Sequence, residues 1–342
     1  MKFKKYIIFL FLYIVIFNCY TGEAKYKKYI NNYYAMGTDL TVIFFTDDKK
    51  KAEDILLNCE KLANELEKKV SCKMPASIIS QLNSSKRKII EDDFVLNLIL
   101  QSLKLSKITN NAFDPALYNL TSLWGFDSGN REVPDKIRIA DALAKSGADN
   151  VIINAREVIL KNEAALDLGG IAKGKIIDEI ADYLKSMGLI DYLINGGGDI
   201  VAKGFYNNKR KWKIAIADPF IKSKYLGYID LSDYSIVTSG DYERFFYKNG
   251  KLYHHILDPK TGYPVDSGLH SVTVIADDTA KADALATALF VLGKDIGLAF
   301  ANKYKDIGVI FVYGDKDNKD IYVSDNIIMT ENDDGTYNFK YK

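Results

Sequence analysis

The sequence predicts an α+β fold on three observations. Strand-like and helix-like segments are mixed along the 342 residues without the strict strand–helix–strand alternation of a doubly wound sheet. Two glycine-rich turns, one at Gly169-Gly170 and one at Gly196-Gly197-Gly198, each follow a segment that reads as a strand. The composition, 48% hydrophobic and 27% charged, is enough to build a core, and no internal repeat or proline-rich linker divides the chain. With 46 Lys+Arg against 45 Asp+Glu, the balance excludes a disordered chain, a multi-span membrane protein and a basic nucleic-acid binder. Substrate capture must therefore come from a local site and not from a global field.

Taken in order, Met1 to Lys5 is a positive n-region and Tyr6 to Phe17 an apolar run of 12 residues. That run is too short to span a bilayer and fits a secretory h-region. Cys19 follows as a loose match to a bacterial lipoprotein box, and an N-terminal anchor with an incidental cysteine is the competing reading. The expected organisation is a lipoprotein-type signal peptide over 1–18, a lysine- and tyrosine-rich tether over 19–30, one compact body over 31–330 and a polar tail over 331–342.

Within the body, Leu40 to Phe45 reads as a strand, and Asp47 to Val70 and Asp93 to Ile108 carry the apolar spacing of amphipathic helices. Cys59 falls on the apolar face of the first of these helices. It reads as a buried thiol, with a disulfide to Cys72 as the alternative in an oxidising compartment. Lys136 to Ser146 is a shorter helix, and Val151 to Asn154 and Val158 to Leu160 are strands around a turn. A helix from about Ala172 to Met187 follows the first glycine-rich turn; a strand at Tyr192 to Asn195 leads into the second. Several strands lie between Trp212 and Val274. A final helix runs from Thr279 to Leu292, with Gly293 as its C-cap.

Three segments carry groups suited to chemistry. From Gly169 the spacing reads G-x-x-x-x-G-K, but Ile176 stands where a P-loop needs a hydroxyl for magnesium, which disfavours a P-loop NTPase. Backbone N–H groups there suit an anion at a helix start; tight helix–strand packing would explain Gly169 and Gly174 but accounts less well for Asp167 and Lys173. The triple glycine before Asp199 signals close backbone approach or a plain turn. From Ala282 to Leu292 nine of eleven residues are apolar, so that helix is buried, and Asp283 and Thr287 stack one turn apart. Two converging oxygens suit Mg²⁺; a structural aspartate paired to an arginine fits that helix as well. Of His254 and His255, adjacent on a strand, only one can face a given site. One is a candidate general base and the other a core or surface residue.

As a set these segments resemble the FAD:protein FMN transferase family, the ApbE-like flavin transferases. The resemblance rests on Met36-Gly37-Thr38, Ser77 through Asn83, Ala112-Phe113-Asp114-Pro115, Leu123-Trp124-Gly125-Phe126, Asp167 through Gly174 and Asn195 through Asp199. It continues through Thr238-Ser239-Gly240-Asp241-Tyr242, His255-Ile256-Leu257-Asp258-Pro259 and Ala282 through Leu289, all in family order. It implies a T-fold-like architecture of mixed and antiparallel sheets with helices, holding FAD between two lobes. The implied activity is transfer of FMN from FAD to a Thr or Ser hydroxyl of a partner protein, with release of AMP. By the same resemblance Asp283 and Thr287, with a carbonyl at or beside Gly170, would ligate Mg²⁺. Met36, Ala112, Phe113, Asp114, Asp167, Lys173, Gly240 and Leu257 would line the FAD site, and His255 would be the base. The implied partner is a flavoprotein subunit of a membrane redox complex or an exported electron-transfer protein, met outside the cytoplasmic membrane by a lipid-anchored enzyme. FAD hydrolysis to FMN and AMP, and a flavin-binding lipoprotein without catalysis, remain the alternatives.

Overall fold

The computed structural model describes residues 26–126 and 131–342. The leader, Cys19 and most of the tether lie outside the described residues. The chain begins with the hairpin β1 (Lys27–Ala35) and β2 (Thr38–Thr46), followed by α1 (Lys49–Val70), α2 (Ile78–Ser85), β3 (Arg87–Ile89) and α3 (Asp93–Ile108). Next come α4 (Tyr118–Trp124), α5 (Lys136–Ala144), the hairpin β4 (Val151–Asn154) and β5 (Glu157–Leu160), and α6 (Gly169–Ser186). The hairpin β6 (Tyr192–Gly196) and β7 (Asp199–Lys203) leads to β8 (Trp212–Ala217), β9 (Tyr225–Leu231) and β10 (Tyr234–Gly240). The last part contains β11 (Phe245–Lys248), β12 (Lys251–His254), β13 (Leu269–Ala276) and α7 (Thr279–Lys303). It closes with β14 (Gly308–Gly314), β15 (Lys319–Val323), β16 (Ile327–Glu331) and β17 (Tyr337–Tyr341).

The scaffold is an antiparallel eight-stranded sheet in the order β1-β2-β6-β7-β10-β13-β14-β15. The period of two along its strands gives it two apolar faces. On β2, Leu40, Val42 and Phe44 turn to a core shared with α1, α3, α6 and α7. Phe45, with Ala202, Ile236, Ile275 and Ile310, turns to a second core shared with the smaller sheet β16-β17-β9-β8. A third cluster holds Leu120, Trp124, Ile139 and Leu257 around α4 and α5. The α+β expectation therefore holds, with two stacked sheets and a helical layer.

Most of the longer helices start where side chains cap them. Asp48 accepts the N–H of Lys51 at the start of α1, and Asp92 that of Val95 at the start of α3. Ile55, Cys59, Ala63 and Leu66 form the buried stripe of α1. Burial pushes the Cys59 thiol up to about 12, and no disulfide joins Cys59 to Cys72. The apolar stretch of α7, with a mean hydropathy of 1.6, is long enough to cross a membrane, but here it is core, packed on α6, β10 and β13.

Several expected boundaries move. The tether already contains the start of β1, because Lys27 to Ile30 pair with Ile43 to Thr46. The segment expected as a tail contains β17, which pairs in parallel with β9 and buries Phe339. α6 begins at Gly169 and not near Ala172; Asp167 Oδ1, just ahead of the helix, accepts the Gly169 N–H, one of the groups a helix start leaves unpaired. Gly293 does end the apolar helix, at φ 71°, but the chain resumes helical geometry beyond it as far as Lys303.

Candidate active site

The centre of the site is the crossing of α6 and α7. A Cβ on Gly174 would stand 2.5 Å from the carbonyl oxygen of Thr279, so only glycine lets the two backbones touch. At this contact the Gly174 N–H donates to Asp283 Oδ2 at 3.1 Å. In an α-helix that N–H is the partner of the Gly170 carbonyl, which is thereby left with at most a shared donor. A Cβ on Gly170 would lie 3.6 Å from Thr287 Oγ1 and 3.2 Å from the Phe113 ring. The crossing therefore gathers a carboxylate, a hydroxyl and the Gly170 backbone, with Phe113 closing one side. Three hard oxygen donors beside a space that a methyl group would fill suit Mg²⁺.

Lys173 links this oxygen set to a cavity. Its Nζ lies 3.0 Å from Asp199 Oδ2, and Asp199 is only 1% exposed. Asp199 owes its place to the β6–β7 turn, in which Gly197 (φ 62°) and Gly198 (φ 102°) occupy the left-handed region that a tight hairpin requires. Asn195 Oδ1 accepts the Gly198 N–H, and a Cβ on Gly197 would strike Thr38. Turn and close approach, the two readings of the triple glycine, are thus both true. Burial disfavours the Lys173 ammonium, but the carboxylates of Asp199, Asp283 and Glu243 outweigh it and hold its pKa above the ordinary lysine value. Burial raises the Asp199 and Asp283 carboxyls, against the pull of Lys173.

The cavity, about 520 Å³, lies between the two sheets. Its floor comes from the Met36-Gly37-Thr38 turn and the β6–β7 turn, its roof from Ile214 to Ala217 of β8, and its rim from Tyr242, Glu243 and Arg244. The β11–β12 hairpin then brings His255 next to that rim, since the His255 N–H donates to the Arg244 carbonyl at 3.0 Å. His255 is half-buried. His254 is the core member of the pair. Its Nδ1 accepts the Ile256 N–H, its Nε2 donates to the Val265 carbonyl, and its ring packs on Phe290. Burial lowers its pKa, against the raising effect of the Val265 carbonyl and the nearby acids.

The structure thus brings Met36 and Lys173 to the cavity, Gly170, Asp283 and Thr287 to the helix crossing, and His255 to the rim. The remaining expected residues take supporting positions. Asp114 is buried, with Oδ1 accepting from Ala116 and Oδ2 from Ala148, so its carboxylate holds a loop beside Ala112 and Phe113. Asp167 joins α6 to α4, accepting from Gly169 and from the Thr121 hydroxyl. Gly240 ends β10 under the Tyr242 ring, and Leu257 sits in the third core cluster. Sequence reasoning missed Asp199, Arg244 and the β8 roof as site components. An acid directly after the triple glycine was a usable signal for Asp199; β8 is an ordinary alternating strand and gives none.

An oxygen-donor set and a buried lysine beside a cavity between two sheets have the chemistry to take a phosphorylated ligand and a cation. The chain matches the ApbE family over residues 36–311 and belongs to that family. It is 38% identical over 227 residues to an FAD:protein FMN transferase of Klebsiella pneumoniae, covering 65% of this chain and 70% of that protein. To the FAD:protein FMN transferase of Treponema pallidum it is 31% identical over 317 residues, covering 86% and 87%. Its fold resembles that of the flavin transferase ApbE from Vibrio cholerae with a TM-score of 0.79 and 30% identity, over 88% of this chain and 98% of that one.

Proposed function

We propose that this chain is a Mg²⁺-dependent FAD:protein FMN transferase, which esterifies a Thr or Ser hydroxyl of a partner protein with FMN and releases AMP. The observation that carries the reading is the α6–α7 crossing, which sets Asp283 and Thr287 beside Gly170 one turn from Lys173, a lining residue of the cavity. Membership of a family whose curated relatives carry this activity supports it.

FAD fits the space between the sheets, with its diphosphate toward Lys173. Mg²⁺ held by Asp283, Thr287 and the Gly170 carbonyl would offset the diphosphate charge when bound. Lys173 adds a positive point charge on the same side, and the cavity walls position the dinucleotide with little reorganisation. His255 takes the proton from the acceptor hydroxyl as its oxygen attacks the FMN phosphorus. The bond from that phosphorus to the bridging oxygen breaks, and the oxygen departs with AMP. Imidazole suits this task because its unperturbed pKa lies near neutrality. The proposed setting is the outer side of the cytoplasmic membrane, reached through the leader and a lipid on Cys19. The proposed acceptor there is a flavoprotein subunit of a redox complex or an exported electron carrier.

The test is intact-mass measurement of a Thr-containing acceptor peptide after incubation with the protein, FAD and Mg²⁺, with AMP followed in parallel. A mass gain equal to FMN esterification with matching AMP is expected, and both should be lost in Asp283→Ala and His255→Ala. Free FMN and AMP without an adduct would point to hydrolysis instead. FAD bound without either product would leave a flavin carrier.

A further inference from the structure

We infer that Asp199 is a positioning residue that holds the Lys173 ammonium away from Asp283 and so keeps that carboxylate available to a divalent cation. The inference rests on the cation reading of Asp283 and Thr287 given above.

Lys173 and Gly174 are neighbours on α6, and Gly174 is the residue hydrogen-bonded to Asp283. The lysine therefore emerges beside a carboxylate that is only 6% exposed, and a flexible four-carbon stem would let its ammonium settle there. Its Nζ lies instead 3.0 Å from Asp199 Oδ2. Among the described residues that buried oxygen has no hydrogen-bond partner, so its contact with Lys173 is an ion pair and no other donor contests it. The β6–β7 turn keeps the acid fixed. Asp199 pairs across the hairpin with Gly196, and a Cβ on Gly196 would stand 3.0 Å from Ile177 of α6, so the turn is pressed against the helix that carries Lys173. Both partners of the Lys173–Asp199 pair are thus anchored to one helix, and their charges cancel locally.

Take away the Asp199 charge and the ammonium loses its nearest counterion, while Asp283 and the rim carboxylate of Glu243 remain. In a low-dielectric interior an unpaired ammonium seeks the next carboxylate, and there it competes directly with a divalent cation. A simple field effect of Asp199 would act on the cation whether or not the lysine is present. A positioning effect needs the lysine. The two are separated by a double-mutant cycle.

The experiment measures Mn²⁺ binding to the FAD-free protein by calorimetry, with electron paramagnetic resonance of free Mn²⁺ as a second readout. It compares wild type, Asp199→Asn, Lys173→Met, the double variant and Asp283→Ala. Asp199→Asn should weaken binding by about tenfold or more in the wild-type background and by less than about threefold in the Lys173→Met background. Equal losses in the two backgrounds, or no loss in either, would overturn the positioning role. The cation reading itself fails separately, if Asp283→Ala binds Mn²⁺ as wild type does. Thermal melts check folding, and Asp199→Ser, which also fits the turn, repeats the comparison should Asp199→Asn not fold.

Discussion

Gly174 shows how a single atom governs this site. Its torsions are helical and ask for no glycine, yet a Cβ would meet the Thr279 carbonyl oxygen at 2.5 Å and the Ala280 Cα at 2.8 Å. Both neighbours are backbone and cannot swing aside. Gly174→Ala must push α7 off α6, at a cost of about 1–3 kcal/mol for overpacking a tight contact. It also stretches the bond that holds Asp283. A lowered melting temperature together with weaker Mn²⁺ binding is expected; an unchanged melting temperature would mean the crossing is not rigid. At this scale the sequence was legible where the geometry is local. Asp283 and Thr287 share a face because residues four apart always do in a helix. The Lys173–Asp199 pair was not legible, because it joins a helix to a hairpin turn through tertiary packing. The adjacency of His254 and His255 showed that one of them faces inward. Only the register of the β11–β12 hairpin decides that it is His254.

Helix α7 is the element on which the oxygen set depends, and its start is held by two acids. Asp278 caps it from within the chain, accepting the Lys281 N–H. Asp178 reaches across from α6, with Oδ1 accepting the N–H of Thr279 at 3.0 Å and Oδ2 that of Ala280 at 2.9 Å. Burial first, and the nearby Asp278 second, raise the Asp178 carboxyl to about 7, against the lowering effect of its hydrogen bonds. Since the native value lies above the ordinary 3.8, the folded state holds this proton more tightly than the unfolded state. The stabilisation it brings is complete below about pH 4 and is lost as pH rises to about 7. Wild-type stability should therefore fall across that window, and Asp178→Asn, which does not titrate, should flatten the fall while losing one of the two caps. Melting temperatures at pH 5 and pH 8 check this: a drop of equal size in both proteins would remove Asp178 as the source. The helices themselves were easy to see in the sequence, through their apolar spacing and the stop at Gly293. The start of α6 was not, since two glycines argue against a helix until Asp167 is seen to bond the first N–H.

Across the whole molecule, the cavity exists because a second sheet covers the first, and the chain's last strand completes that cover. The α+β class was legible from mixed periodicities, whereas the strand order was not, because it depends on pairings between distant segments. The residues beyond Thr330 looked like a polar tail through their run of Asn, Asp and Lys, yet Tyr337, Phe339 and Tyr341 alternate as a half-buried strand does. In the fold Phe339 pairs in parallel with Ile229 of β9 and is 4% exposed among Trp212, Ile214 and Leu231. β9 in turn pairs with β8, the cavity roof. Phe339→Ala should cost about 3–5 kcal/mol, as buried Phe to Ala changes do, and should loosen β9 and with it the roof. Urea unfolding and FAD titration of the folded variant provide the two readouts, and both stability and FAD affinity are expected to fall. If truncation after Asn332 left both at wild-type values, the last strand would be an appendage and the cavity would be closed by β8 and β9 alone.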